Sequence, residues 1–194
     1  MVFTLPLPSP TSCPRSSNRV FVERRKRFLS SAQKHGVDDL ALASGWARAR
    51  NFAHNEYPFR AESHFLWLVG RHIEGALLDY RESEGWALYW DSLPPELSLW
   101  LGPQQSAEAL SDEIELEVRP LAMYQPQSIQ RLPAILPCQD EGSQDWLNSL
   151  TGRDLEAQSG AQLVAQDAQL AKVMVELRLK ADEAALEQLR YAAA

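Results

Sequence analysis

The stretch Tyr57-Pro58-Phe59-Arg60-Ala61-Glu62-Ser63-His64-Phe65-Leu66-Trp67-Leu68-Val69-Gly70 decides how this chain is read. Its second half, Phe65 to Val69, is a short apolar run closed by glycine and reads as a strand. Two more strand candidates follow at once. One is Gly75 to Tyr80, and the other is Trp86 to Trp90, bounded by Gly85 and Asp91. Spacing this tight predicts hairpins or a meander. Pro94-Pro95 ends the run.

Upstream, Val20 to Lys34 has helical period, with Phe21, Phe28, Leu29 and Ala32 on one face. The arginines Arg24, Arg25 and Arg27 fall opposite and read as a solvated face. Gly36 stops this helix. Asp39 to Ser44 reads as a buried strand closed by Gly45, and Arg48 to Glu56 as a loop. Downstream, Ser106 to Leu110 fits a short helix. Glu113 to Val118 alternates strictly and reads as a half-exposed strand. Pro126 to Leu132 fits another short helix, and Pro133 to Pro137 a short strand between proline stops. Asp140 to Thr151 is polar, with one helical turn around Trp146 and Leu147. Ala157 to Leu177 is the clearest helix, striped by Leu163, Leu170, Met174 and Leu177. Asp182 is the expected N-cap of a last helix running through Leu186 and Leu189 to Ala194.

Strands and helices interleave, so the fold class is α/β. Hairpin-close strands make the expected sheet mixed, with about six strands and helices on both faces. Residues 1–17 are a Pro/Ser-rich tail, expected to be disordered. Residues 18–176 form the domain, and 177–194 a linker entering a helix whose pattern breaks off at Ala194.

The chain has 194 residues, is 45% hydrophobic and carries a net charge of −7. That is long enough for one full core. An acidic balance argues against nucleic acid, whose phosphates need a basic face. Nothing in the sequence places Cys13 near Cys138, which predicts a reducing, cytoplasmic compartment. No run of ~18 apolar residues is present, so no membrane span is expected. Pro6, Pro8 and Pro10 make the start a poor signal peptide.

The chemistry-bearing residues are scattered. The histidines are His35, His54, His64 and His72, with no HExxH pair and no Cys/His set at zinc spacing. No Gly-x-Ser-x-Gly elbow or glycine-rich phosphate loop exists. Neighbours on a strand face opposite ways, so Ser63 and His64 make no dyad. No catalytic, cofactor-binding or metal-ligating residue is therefore expected. Of the six tryptophans, Trp67, Trp86 and Trp90 read as strand residues of the core. Trp100, between Pro94-Pro95 and Gly102-Pro103, reads as a loop residue that either meets a partner or packs on the sheet edge.

The quoted stretch resembles the signature of the creatinase/prolidase-type N-terminal domain of Xaa-Pro aminopeptidases and dipeptidases. Arg24-Arg25-Lys26-Arg27 resembles the family's opening helix, and Trp100-Leu101-Gly102 its later Trp-x-Gly element. Leu177-Arg178-Leu179-Lys180 with Leu186, Leu189 and Arg190 resembles the junction into a catalytic domain. His64 and Val69 depart from the usual acidic residue and threonine. The resemblance implies a ribonuclease H-like mixed sheet that does no bond-breaking alone. It implies a separate C-terminal domain with two divalent metals, manganese by expectation, that hydrolyses the Xaa-Pro bond. The implied partners are that catalytic domain, further copies in a dimer or tetramer, and proline-containing peptides. Trp100 and His54 are the implied contacts for substrate gating or subunit packing. The alternatives are the same domain of a creatinase-like non-peptidase hydrolase, or a stand-alone interaction module.

Overall fold

A computed structural model describes residues 16–52, 55–94, 96, 102, 105–125, 132–138, 140–153 and 161–193. The described elements begin with helix α1 (Asn18–Lys34), strand β1 (Leu40–Ala43), helix α2 (Ser63–Val69) and strands β2 (Leu77–Arg81) and β3 (Gly85–Tyr89). Helix α3 (Ala107–Ile114), strand β4 (Glu117–Arg119), a 3₁₀ turn (Leu121–Met123) and strand β5 (Ala134–Ile135) follow. Helices α4 (Glu141–Thr151), α5 (Ala161–Arg178) and α6 (Glu183–Ala193) complete the order.

One mixed sheet of five strands has the order β4-β3-β2-β1-β5. β2 and β3 form the expected hairpin, in register from Leu77 opposite Tyr89 to Arg81 opposite Gly85. β1 lies antiparallel to β2 and parallel to β5, and β3 is parallel to β4. Four strands therefore run one way and β2 runs against them.

Alternation splits the strand side chains between two faces. Leu40, Leu42, Leu78 and Leu88 pack under α1, α2, α3 and α5, meeting Phe28, Phe65, Leu68, Leu110, Leu170 and Met174. Each such fully buried side chain contributes about 1.5–3 kcal/mol. Ala41, Leu77, Ala87 and Ile135 face the other way, against Leu147 of α4 and Tyr124. Helices thus cover both faces, and the α/β mixed-sheet expectation holds, with five strands among the described residues.

Four local expectations are corrected. Phe65–Val69 is helix, not strand. It buries Phe65, Leu68 and Val69 at helical spacing and ends on Gly70 at φ 77°. Trp67 accordingly sits on a helix and not on a strand. Of the alternating segment Glu113 to Val118, only Glu117 and Val118 are strand, in β4 (Glu117–Arg119). The segment's first residues belong to α3, capped by Ser106 Oγ, which accepts from Ala109 N, and ended by Glu115 at φ 52°. Asp140–Thr151 holds a full helix. Asp140 caps it by accepting from Ser143 N, and Gly152 ends it at φ 67°. The arginines of α1 are not all solvated, because Arg24 and Arg25 are buried. The Arg48–Glu56 loop carries an antiparallel bridge between Ala49 and Glu56. The helix expected from Pro126 falls almost wholly outside the described residues, as does nearly all of the tail.

The buried arginines have specific work. Arg25 Nη1 donates to Leu68 O at 3.0 Å, satisfying a carbonyl in the last turn of α2. Burial lowers its pKa to about 10, against the opposing pull of Glu115. Arg24 forms a two-pronged bond to Asp182, Nε to Oδ2 at 2.8 Å and Nη2 to Oδ1 at 2.7 Å. Its guanidinium lies against the rings of Phe21 and Trp67. Asp182 also accepts from Ala185 N, capping α6 as the sequence predicts. α6 buries no residue of its own among those described. This clasp is its attachment to α1.

Candidate functional site

In a sheet whose strands mostly agree in direction, ligand crevices form beyond the carboxyl ends. Here the ends of β1, β3, β4 and β5 share one edge. The signature segment crosses it because Glu62 N donates to Ser44 O at 2.8 Å, just past β1. Ser44 Oγ in turn accepts from Ala76 N at 2.8 Å. Ala61 N donates to His72 Nδ1 at 3.2 Å. His72 must therefore be neutral with its proton on Nε2. Burial, then Arg60, lowers its pKa, in agreement.

Two cavities open along this edge. The first, about 370 Å³, lies beyond β1 and β5 and is lined by Trp46, Tyr57, Phe59, Arg60, Glu62 and Cys138 among others. The second, about 470 Å³, is more apolar and lies between Trp46, His72, Trp90, Leu93 and Leu110. Trp46 forms a wall of both. Its indole meets Trp146 edge-on at 5.6 Å, its backbone N donates to Ser143 Oγ, and its ring covers Gly75. Tyr57 and Phe52 are exposed nearby, so this edge is the aromatic side of the molecule.

The lining of the first cavity carries several polar and charged groups. Oε1 of Glu62 is buried and has no hydrogen-bond partner. Arg48 pairs with Asp140 at 3.5 Å. Burial pushes the Asp140 carboxyl up, but the Ser143 bonds and Arg48 outweigh it and hold the pKa below the usual range. Burial, then Glu62 and Asp140, pushes the Cys138 thiol to about 12, so it stays protonated and unreactive. Ser63 and His64 sit in the first turn of α2. Ser63 Oγ accepts from Arg60 Nη1, and His64 Nδ1 meets Arg178 Nη1 at 2.8 Å. Burial, then Arg178, lowers the His64 pKa. The two side chains serve different partners.

Trp100 and His54, singled out from the sequence, both lie outside the described residues. Glu62, Arg60 and Trp46 were not singled out. Glu62 and Arg60 lie within the quoted signature, but nothing in a sequence shows that a carboxylate oxygen lacks a donor. Among the described residues no three His, Cys, Asp or Glu side chains gather where a metal ion could be held. The paired metals implied by the resemblance do not fit these residues, and no chemical step in this chain is derived through them. Among the same residues no helix is long and apolar enough to cross a membrane.

The family model for the aminopeptidase P N-terminal domain matches residues 21–133. The chain belongs to this family. The aminopeptidase P N-terminal fold is also seen in solved structures. A zinc-substituted E. coli aminopeptidase P in complex with product is 17% identical, with TM-score 0.51 over 71% of this chain and 33% of that one. Proline aminopeptidase P II from Yersinia pestis is 19% identical, with TM-score 0.52 over 73% and 33%. E. coli aminopeptidase P with the inhibitor Pro-Leu is 16% identical, with TM-score 0.52 over 70% and 33%. At these identities the likeness establishes the fold. The chain spans about a third of the length of these aminopeptidase P structures. No curated protein matches it in sequence.

Proposed function

We propose that this domain serves a Xaa-Pro aminopeptidase as its assembly and gating part, while a separate C-terminal catalytic domain hydrolyses the bond before proline. The observation that carries this reading is the family match over residues 21–133, together with a structural match that covers only 33% of the aminopeptidase P neighbour. The hydrolysis belongs to the remaining two thirds, with two divalent metals, manganese by proposal.

The domain meets its partners through two surfaces. α6, with Leu189 exposed and no buried residue, and the nearby Val175 and Leu179 offer an apolar face to the catalytic domain. The aromatic edge around Trp46 and Tyr57 serves substrate access and contact between copies in a homo-oligomer. Trp100 and His54 join this role on the resemblance alone. The free Cys138 thiol suits the cytoplasm.

The test is hydrolysis of an Xaa-Pro dipeptide by the purified chain with added manganese, beside a fusion to an aminopeptidase P catalytic domain. The chain alone should show no turnover, and the fusion should cleave. Manganese-dependent turnover that co-purifies with the chain alone overturns the reading. Trp100→Ala in the fusion should raise KM for longer peptides.

A further inference from the structure

We propose that the cavity beyond β1 and β5 binds a free α-amino acid, with the ammonium group on Glu62 and the carboxylate on Arg60. The cavity's volume, about 370 Å³, falls at the lower end of the roughly 300–1,000 Å³ range of small-ligand sites. Its unusual feature is Glu62 Oε1, buried and without a donor. A carboxylate oxygen taken from water with no hydrogen bond is costly. An ammonium group carries three donors and a full charge, the strongest available complement.

Arg60 lines the same cavity two residues earlier. Its Nη1 donates to two neutral acceptors, Ser63 Oγ at 3.1 Å and Ala61 O at 3.4 Å. A guanidinium fork takes a carboxylate in preference to such partners. Arg48 and Asp140, the other charges in the lining, face each other and cancel. Cys138 stays neutral. Two cations and two carboxylates therefore border the space, and a ligand with one charge of each sign keeps the balance. Trp46, Tyr57 and Phe59 supply apolar walls for a side chain. A lone cation would leave Arg60 unanswered, and a lone carboxylate would leave Glu62 unanswered.

This inference is independent of the aminopeptidase reading, and its test uses the 194-residue chain. L-leucine, N-acetyl-L-leucine and L-leucinamide are titrated by calorimetry and by amide chemical shifts. Leucine should bind one to one, and each capped analogue about tenfold or more weakly. Glu62→Gln should abolish the discrimination between leucine and N-acetyl-leucine, with the fold checked by circular dichroism. If that variant does not fold, the comparison of the three ligands on the unaltered chain decides alone. No saturable leucine binding in the millimolar range overturns the proposal. So does N-acetyl-leucine or leucinamide binding as tightly as leucine, and water alone then occupies the cavity.

Discussion

Replacing Gly70 with alanine should strip the domain of a large part of its stability. Gly70 ends α2 at φ 77°, a region that costs a residue with a Cβ about 1–2 kcal/mol. An added Cβ would also stand 2.1 Å from Cζ of Phe21 and 2.3 Å from Cε2, well inside contact distance. The Phe21 ring is 6% exposed and lies against Arg24, so it cannot simply swing clear. Overpacking of this kind costs a further ~1–3 kcal/mol. The sum, about 2–5 kcal/mol, corresponds to a Tm lower by roughly 4–20 °C for a chain of this size. Thermal melts followed by circular dichroism at 222 nm measure it. The two contributions separate in a double-mutant cycle. In a Phe21→Ala background the overlap is gone, and Gly70→Ala should then cost only the backbone part. A Tm within about 2 °C of the unaltered chain, less than one kcal/mol, would refute the argument. An undiminished penalty in the Phe21→Ala background would refute the overlap.

Three further outcomes are expected. The Arg24 bond, with Arg27 and the Ala185 N–H, outweighs burial and holds Asp182 at about 2 in the folded chain. Its contribution is present above about pH 4, the unfolded value, and is lost as pH falls towards 2. Asp182→Asn should remove about 1–2 kcal/mol at pH 7 and flatten that limb in a pH series of urea melts. Asp79, buried beside Arg81 at 2.7 Å, is pushed up to about 6 chiefly by burial. Because that value lies above the unfolded one of about 4, the native chain gains stability as pH falls from about 6 to 4, a gain that Asp79→Asn, neutral at every pH, does not share. Relative to the native chain the variant should therefore fare best at pH 7 and progressively worse towards pH 4 in urea melts, and a constant difference from pH 7 to 5 refutes the assignment. Cys138, at about 12, should react with iodoacetamide at pH 8 far more slowly than an unhindered thiol, as read by mass spectrometry.

The chain announces its architecture better than its details. β1, β2, β3 and β5 were legible because short apolar runs between glycine and proline stops leave few other readings. Phe65–Val69 misled because a five-residue apolar run fits both periods. Phe65, Leu68 and Val69 at i, i+3 and i+4, with Gly70 behind them, were the helical signal. The Asp140 cap and Gly152 stop marked α4 just as clearly, and its polar surface hid them. Arg24 and Arg25 could not be read as buried, since their partners, Asp182 and Leu68 O, come from distant parts of the chain. The same distance conceals the cavity. Its walls arrive from three separate segments, and only folding sets Glu62 beside Cys138.

The clasp between Arg24 and Asp182 has a mechanical meaning. It joins the opening helix to the closing one, and Gln188 Nε2 reaches Ser16 Oγ at 3.1 Å nearby. Tension applied at residues 16 and 193 would run through two helices and the pairing of Asp182 with Arg24 and Arg27, leaving the sheet unloaded. Pulled from its ends, the molecule should yield in two stages, a weak unlatching of α6 and then the rupture of the core.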